Sequence, residues 1–323
     1  MKHISILVPE SSVLAAIDDP RHVFSQVNSL AKTAGKLPVF DIKFVGINRE
    51  VRLHDGAFSV HTDLLLDEIE ETDLIFIPAF AGNTVEFLEK NKNFISWISG
   101  QRKNGAEVVS LCVGAFMLAA TGLLDGKKCS THWRAADEFR AMYPSVDLQT
   151  DKIITEEDGI YTSGGATSYW NLLIYLVEKY TNRETAVLTA KIFAIDIERH
   201  SQSHFMIFKG QTAHRDEEVK KAQEFIETNF QERLTIDDLS DKFAISRRSF
   251  ERRFKRATNN TINEYVRRVK IEAAKKSFET SRKNITEVML DVGYSDIKAF
   301  REIFKKITGM TPTDYRNRYH KIM

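Results

Sequence analysis

Hydrophobic residues follow two different spacings along the chain, and the change between them divides the sequence into two parts. In the first two thirds, short apolar runs alternate with longer amphipathic stretches. The runs predict buried strands at residues 4–8, 41–47, 73–77 and 107–111. The stretches predict helices at residues 21–34, 94–103, 115–121, 133–142, 168–180 and 185–195. This alternation predicts a doubly wound α/β domain over residues 1–200, with a mostly parallel sheet covered on both faces.

Strand signals largely disappear after Asp216, and apolar residues then recur at spacings of three and four. We therefore predict a separate all-α domain over residues 217–323. The polar stretch at residues 201–216 is the predicted linker. The helices are predicted at residues 217–230, 236–243, 247–257, 262–280, 285–292, 297–308 and 313–319.

The all-α part contains an internal repeat. A shift of 50 residues places Asp241 on Asp291, Phe250 on Phe300, Phe254 on Phe304, Lys255 on Lys305 and Thr258 on Thr308. It also places Ser246 on Asp296, and both residue types favour the position just before a helix. Each copy therefore predicts a short helix, a tight turn and a second helix. We expect two helix-turn-helix units, at about residues 234–258 and 284–308.

The helical phase of each second helix indicates which side chains would face DNA. With Phe250 and Phe254 on the buried stripe, Arg248 and Arg252 point away from it. Six of the ten residues from 247 to 256 are basic, a density that favours a phosphate-lined groove, although a solvated basic face is the alternative. The candidate DNA-facing residues by charge and phase are Arg247, Arg248, Glu251, Arg252, Lys255, Arg256, Lys298, Arg301, Glu302 and Lys305.

Composition adds a charge asymmetry to this division. The 323 residues are 42% hydrophobic and 28% charged, as in ordinary globular proteins, with a net charge of only +1. Residues 217–323 carry a net +7, whereas the preceding residues carry −6. We therefore expect only the last part to meet double-stranded DNA, and the overall charge argues against a protein that coats DNA without specificity.

The two cysteines, Cys112 and Cys129, are too few for a disulfide framework and show no metal-ligand spacing. We therefore expect a reducing cytoplasm, no bound metal and no cofactor. No apolar run reaches the roughly 20 residues that span a bilayer, so no membrane association is expected. The N-terminal apolar run leads into Pro9 and Glu10, which indicates a first strand rather than a signal peptide.

The last hundred residues resemble the DNA-binding domain of the AraC/XylS-type transcription regulators. The second copy carries the family's glycine-aromatic pair and its later F-x-x-x-F-K-K, G-x-[ST]-P and Y-R motifs. The matching positions are Gly293, Tyr294, Phe300, Phe304, Lys305, Lys306, Gly309, Thr311, Pro312, Tyr315 and Arg316.

The resemblance implies that the second helix of each unit enters the major groove, with the two units about one turn apart. Carried over by position, the base-reading candidates are Arg248, Glu251 and Arg252 in the first unit, and Ile297, Lys298, Arg301 and Glu302 in the second. Glu302 departs from the family, because many members have a basic or small polar residue there.

The first part has its own candidate chemistry at Cys112, which ends a predicted strand and begins a helix. This layout resembles a nucleophile elbow, and a helix N-terminus is expected to lower the pKa of the thiol. Together with the segments at residues 110–133 and 159–178, it resembles the ThiJ/PfpI family, whose fold is flavodoxin-like. The combination of both halves resembles the GlxA-type regulators.

The resemblance leaves three uses open for the first domain. Catalytic ThiJ/PfpI members have a histidine directly after the cysteine, whereas this chain has Val113, so we expect no enzyme activity. A hydrolase or lyase that carries the helical domain for targeting is the rival hypothesis. We favour a pocket for a small-molecule effector, with Glu10, Cys112 and His132 as its residues, over a purely structural dimerisation domain. In either case we expect a homodimeric regulator.

Overall fold

The computed structural model describes residues 1–212 and 214–320, and the chain divides into two compact units. The N-terminal unit comprises Met1–Gln202, and the C-terminal unit begins at Ser203. Within the described residues, no helix combines the length and the apolar character needed to cross a membrane.

The N-terminal unit is an α/β structure. Its strands are β1 (Lys2–Leu7), β2 (Phe40–Gly46), β3 (Glu50–Leu53), β4 (Phe58–His61), β5 (Leu64–Leu65), β6 (Leu74–Ile77), β7 (Glu107–Ser110), β8 (Lys128–Cys129), β9 (Asp147–Leu148), β10 (Ile154–Glu157) and β11 (Ile160–Ser163). Its helices are α1 (Leu14–Thr33), α2 (Thr84–Lys90), α3 (Lys92–Lys103), α4 (Ala115–Ala120), α5 (Ala136–Met142), α6 (Tyr169–Tyr180) and α7 (Arg183–Ile192).

Seven of these strands form one sheet in the order β10-β11-β7-β6-β1-β2-β5. Its neighbouring strands are parallel except for β10, which runs antiparallel to β11 at one edge. Two small sheets, β3–β4 and β8–β9, lie outside it. The prediction of a doubly wound, mostly parallel sheet is confirmed.

Side chains alternate between the two faces of this sheet, as the period of a strand requires. Leu74 and Phe76 of β6 join α1, α6 and α7 in one apolar core, whereas Ile75 and Ile77 join α3 and α4 in the other. Both faces are therefore covered, and the loops after the strands are left to form a site at the carboxyl edge of the sheet.

The C-terminal unit is helical in its described part. Its helices are α8 (Glu217–Thr228), α9 (Ile236–Lys242), α10 (Arg247–Thr258), α11 (Ile262–Thr280), α12 (Ile285–Asp291), α13 (Ile297–Thr308) and α14 (Pro312–Tyr319). Helix α11 joins two apolar cores: Tyr265 and Val269 from its first half pack with α8, α9 and α10, whereas Ile271 and Phe278 from its second half pack with α12, α13 and α14.

The segment predicted as a linker makes specific contacts. Gln202 is buried within the N-terminal unit. In the C-terminal unit, the Met206 carbonyl accepts a hydrogen bond from Lys275, and the Phe208 ring packs on Tyr265 with 5.1 Å between centroids. Residues 203–208 thus belong to the packing of the helical unit.

Candidate DNA-binding surface and N-terminal pocket

Two helix-turn-helix units, α9–α10 and α12–α13, are held by equivalent aromatic contacts in the C-terminal unit. The helices α10 and α13 have the same length, and each ends at a left-handed residue, Asn259 or Gly309. The equivalent ring pairs are Phe250–Phe254 and Phe300–Phe304, both 5.8 Å between centroids, and Phe254–Tyr265 and Phe304–Tyr315, at 5.2 and 5.5 Å. We therefore treat α10 and α13 as equivalent recognition helices.

The turns of the two units differ by one residue. The first helices of the units, α9 and α12, begin 49 positions apart, and so do the left-handed turn residues Ala244 and Gly293. The recognition helices begin 50 positions apart, so the second turn is one residue longer. Pairing Asp241 with Asp291 was therefore wrong, because the structural counterpart of Asp241 is Leu290. A sequence shift held constant over the whole repeat could not detect the added residue.

The outward face of α10 carries the side chains that the helical phase predicts. Arg248, Glu251, Arg252, Lys255 and Arg256 are all exposed, whereas the phenylalanine stripe is fully buried. Among the described residues, no carboxylate lies within ion-pair distance of the arginines at 248, 252 and 256, so these guanidinium groups are available to an external anion.

Arg247 is placed differently from the other candidates on α10. Its guanidinium donates to both carboxylate oxygens of Asp237, at 3.1 and 3.2 Å, and to Glu251 at 3.4 Å. Arg247 therefore positions Glu251 and ties α10 to α9. Arg253 is also engaged, because it donates to both oxygens of Asp216, just before α8. The hydrogen bonds from Arg253, and then its charge, lower the pKa of that carboxyl.

The outward face of α13 is more mixed. Lys298, Arg301, Glu302 and Lys305 are exposed, and within the described chain none of them forms an ion pair. Ile297 is half-buried against the second apolar core, so only part of its side chain faces outward. Among the described residues, the second recognition helix thus offers four exposed cations outside any ion pair, the three named above and Lys306, and one such carboxylate.

A buried lysine connects the two helix-turn-helix units. The amine of Lys270, in the middle of α11, donates to the carbonyls of Glu232 and Gly293, both at 3.2 Å. Burial lowers the pKa of Lys270, which is only 7% exposed. Glu232 precedes the first unit and Gly293 lies in the turn of the second, so one ammonium group bridges both.

Cys112 lies at the sharp turn between β7 and α4, with a left-handed φ of 57°. Gly114 makes the turn possible: a Cβ there would lie 2.7 Å from the carbonyl oxygens of Ile77 and Pro78. The Cys112 backbone N–H donates to the Ser163 hydroxyl at 3.1 Å, and its carbonyl accepts from Thr131 at 2.9 Å. The strand–turn–helix arrangement predicted from the sequence is therefore present.

The pKa of the Cys112 thiol differs from the expectation. Burial raises the pKa of Cys112, and this effect outweighs the backbone N–H groups of Ala166 and Val113, which lower it. The predicted low pKa was wrong, because a thiol that is 7% exposed loses more hydration than two peptide dipoles restore. The site favours a neutral thiol over a thiolate.

His132 packs against the turn at Gly165 and Ala166, which faces the Cys112 sulfur. A Cβ on Gly165 would lie 2.2 Å from the His132 ring, so the ring rests directly on this glycine. Nδ1 of His132 accepts from the Arg134 N–H at 3.1 Å, and burial, followed by the charge of Arg134, lowers the pKa of the imidazole. Ala166, whose N–H faces the Cys112 sulfur, has a left-handed φ of 49°.

Glu10 is exposed in the loop after β1. Its backbone exchanges hydrogen bonds with the Asn91 side chain. The pKa of Lys90 is raised mainly by its hydrogen bond to Glu86 and only slightly by the Glu10 carboxylate. Among the described residues, neither Glu10 nor His132 is one of the groups that shift the pKa of the Cys112 thiol. The structure therefore brings the His132 ring and the Cys112 sulfur to one turn, at Gly165 and Ala166, and places Glu10 beside Asn91.

Comparison with known proteins agrees with both halves of this description. Residues 23–179 match the DJ-1/PfpI family, and residues 239–318 match a helix-turn-helix domain family. The protein thus joins a DJ-1/PfpI domain to an AraC-type helix-turn-helix domain.

Two of the similar proteins are transcriptional regulators of Pseudomonas aeruginosa. The chain is 23% identical to the HTH-type transcriptional regulator GbdR of Pseudomonas aeruginosa, over 83% of this chain and 72% of that protein. It is 26% identical to the regulator ArgR of the same species, over 67% and 65%. The crystal structure of an AraC family transcriptional regulator from Pseudomonas putida matches 60% of this chain and all of that chain, with a TM-score of 0.51 and 16% identity. At this identity the match is evidence for a shared fold only.

Proposed function

We infer that the protein is a sequence-specific, DNA-binding transcription regulator. The observation that carries this inference is the pair of equivalent recognition helices, α10 and α13. On the side opposite its buried phenylalanines, each exposes several cations that have no carboxylate partner among the described residues. Each helix would lie in the major groove, where arginine and lysine can reach base edges and phosphates. The names of the similar regulators support this function.

We also propose that the N-terminal domain binds a small-molecule effector at the turn that holds Cys112 and His132, with Glu10 at its solvent side. The carboxyl edge of a doubly wound sheet is where ligands bind in such folds. The left-handed residues Cys112 and Ala166 face each other there, and backbone strain of this kind accumulates at functional sites. The buried, neutral thiol suits a pocket wall better than a nucleophile.

The proposed regulator acts as a homodimer in a reducing cytoplasm, in keeping with its two free cysteines. Dimerisation would raise the effective concentration of the second DNA-binding domain at paired sites. Analytical ultracentrifugation of the full chain tests this part, and a monomer at micromolar concentration would contradict it.

Selection of binding sites from random duplexes by the full protein tests the regulator function. We expect a defined sequence to be enriched and to occur upstream of genes in genomic footprinting. Enrichment without any shared sequence would contradict specific recognition. The footprinted genes then suggest metabolites to test as effectors.

One observation favours a second candidate, a ThiJ/PfpI-type hydrolase or lyase: the cysteine lies at a nucleophile elbow. The raised pKa of the thiol and the presence of Val113 where catalytic members have histidine argue against it. Turnover assays with small amides and glyoxals distinguish the two, because measurable turnover that Cys112→Ala abolishes would support the enzyme.

A further inference from the structure

The charged residues at two adjacent positions are exchanged between the recognition helices. Because α10 and α13 begin and end 50 residues apart, Glu251 corresponds to Arg301 and Arg252 corresponds to Glu302. All four side chains are exposed. The first helix therefore carries acid then base, and the second carries base then acid.

The exchange is confined to these two positions. Arg248 corresponds to Lys298, and Lys255 to Lys305, so the flanking positions keep their positive charge in both helices. These flanking positions thus have the same sign of charge in both units, whereas two neighbouring positions on the groove-facing side differ in sign. A difference restricted in this way is what selection of different base pairs requires.

The donors and acceptors on the base edges show which bases the exchanged side chains would select. An arginine fork donates to guanine O6 and N7, whereas a carboxylate accepts from cytosine N4 and is repelled by the acceptors of guanine. Exchanging arginine and glutamate at one position therefore exchanges guanine for cytosine on the strand that is contacted. Adjacent helical residues do not face each other, so the arginine and the glutamate of each pair do not neutralise one another within the helix.

We propose that the two units bind unlike half-sites in which two G·C pairs have opposite orientations. In the first half-site, Glu251 accepts a hydrogen bond from cytosine and Arg252 donates to guanine. In the second half-site, Arg301 donates to guanine and Glu302 accepts from cytosine. The partner is accordingly an asymmetric duplex site. This proposal rests on the proposed function, because it concerns the DNA that the regulator selects.

The two glutamates have different surroundings, which ranks their importance. Glu251 is held by Arg247, at 3.4 Å, and that arginine offsets part of its charge. Among the described residues, Glu302 has no cation within ion-pair distance. An uncompensated carboxylate in a phosphate-lined groove depends on its base partner, so Glu302 should discriminate more strongly between the two orientations of its G·C pair.

Selection from random duplexes with full-length variants tests the proposal. In the double variant Glu251→Arg with Arg252→Glu, the first helix carries the charge order of the second. We expect its two G·C pairs in the first half-site to reverse orientation while the second half-site stays unchanged. Arg256→Ala is the matched control, since it should lower affinity without changing the selected sequence.

A single substitution provides a second measurement should the double variant fold poorly by circular dichroism. In Glu302→Gln, the preference for one orientation of the affected G·C pair should fall by about tenfold, within the range expected for a lost base contact. Identical half-sites for the wild type, an unchanged first half-site for the folded double variant, or an unchanged preference in Glu302→Gln would each overturn the proposal. Failure of the wild type to enrich any sequence would instead contradict the regulator function.

Discussion

The side-chain oxygen of Gln202 accepts a hydrogen bond from the backbone N–H of Gly165 at 3.0 Å. The amide nitrogen of the same side chain donates to the carbonyls of Thr131 and Thr150, both at 2.9 Å. Gln202 is 1% exposed and is the last residue of the N-terminal unit. The end of this unit is therefore fastened to the turn on which His132 rests.

Gln202→Ala should destabilise the N-terminal unit by about 1–3 kcal/mol, because it leaves the Gly165 N–H and buried carbonyls without a partner. Urea unfolding followed by tryptophan fluorescence measures this change. Asn93→Ala, which removes an exposed amide from α3, is the control and should have little effect. Equal stability of the two variants would show that the Gln202 contacts contribute nothing net.

A fragment of residues 203–323 should fold and bind DNA, and it should be more stable than a fragment of residues 217–323 by about 2 kcal/mol or more. The shorter fragment lacks Phe208, which packs on Tyr265, and lacks the carbonyl partner of the buried Lys275 amine. Urea unfolding of both fragments gives the difference. Phe208→Ala in the longer fragment should reproduce part of it, and equal stabilities would refute this role for residues 203–212.

Arg252→Ala should weaken binding to the selected duplex more than to a scrambled duplex, because its guanidinium faces outward and can hold a guanine. Arg256→Ala should weaken both duplexes similarly and reduce the slope of log affinity against log salt by about one unit. Fluorescence anisotropy at several salt concentrations measures both. Equal loss on both duplexes for Arg252→Ala would mean that α10 docks in another orientation.

Native Cys112 should react with iodoacetamide at least about tenfold more slowly at pH 7.5 than in the urea-unfolded chain, because burial both shields the thiol and raises its pKa. Peptide mass spectrometry measures the rate, and the rate should rise with pH as thiolate forms. A native rate equal to the unfolded rate would restore the activated cysteine first expected from the helix N-terminus.

Much of the architecture could be predicted from the sequence, because buried strands and amphipathic helices impose distinct spacings on apolar residues. The phenylalanines of α10 and α13 gave the correct helical phase for this reason. The antiparallel edge strand β10 and the β3–β4 pair were missed, since their alternation is short and half polar. The predicted start of α1 followed Pro20, yet the helix begins at Leu14 and contains that proline.

The details of the site could not be predicted, because they depend on tertiary contacts. The pKa of Cys112 depends on the balance between burial and peptide dipoles, and one of those dipoles comes from Ala166, in a turn that is distant in the sequence. The role of Gln202 depends on three separate segments, which supply the carbonyls of Thr131 and Thr150 and the N–H of Gly165. For Lys270 the sequence does contain a signal. A lysine on the apolar stripe of α11, between Val266 and Ala274, indicates a buried cation that must have hydrogen-bond acceptors.

The bridge that Lys270 forms between Glu232 and Gly293 has a consequence for the DNA itself. Because one buried ammonium holds the entry to the first unit and the turn of the second, the separation of the recognition helices is a property of the protein. The duplex must then supply any change in twist or bend between the half-sites. We expect base pairs that no side chain touches to influence affinity through their stiffness.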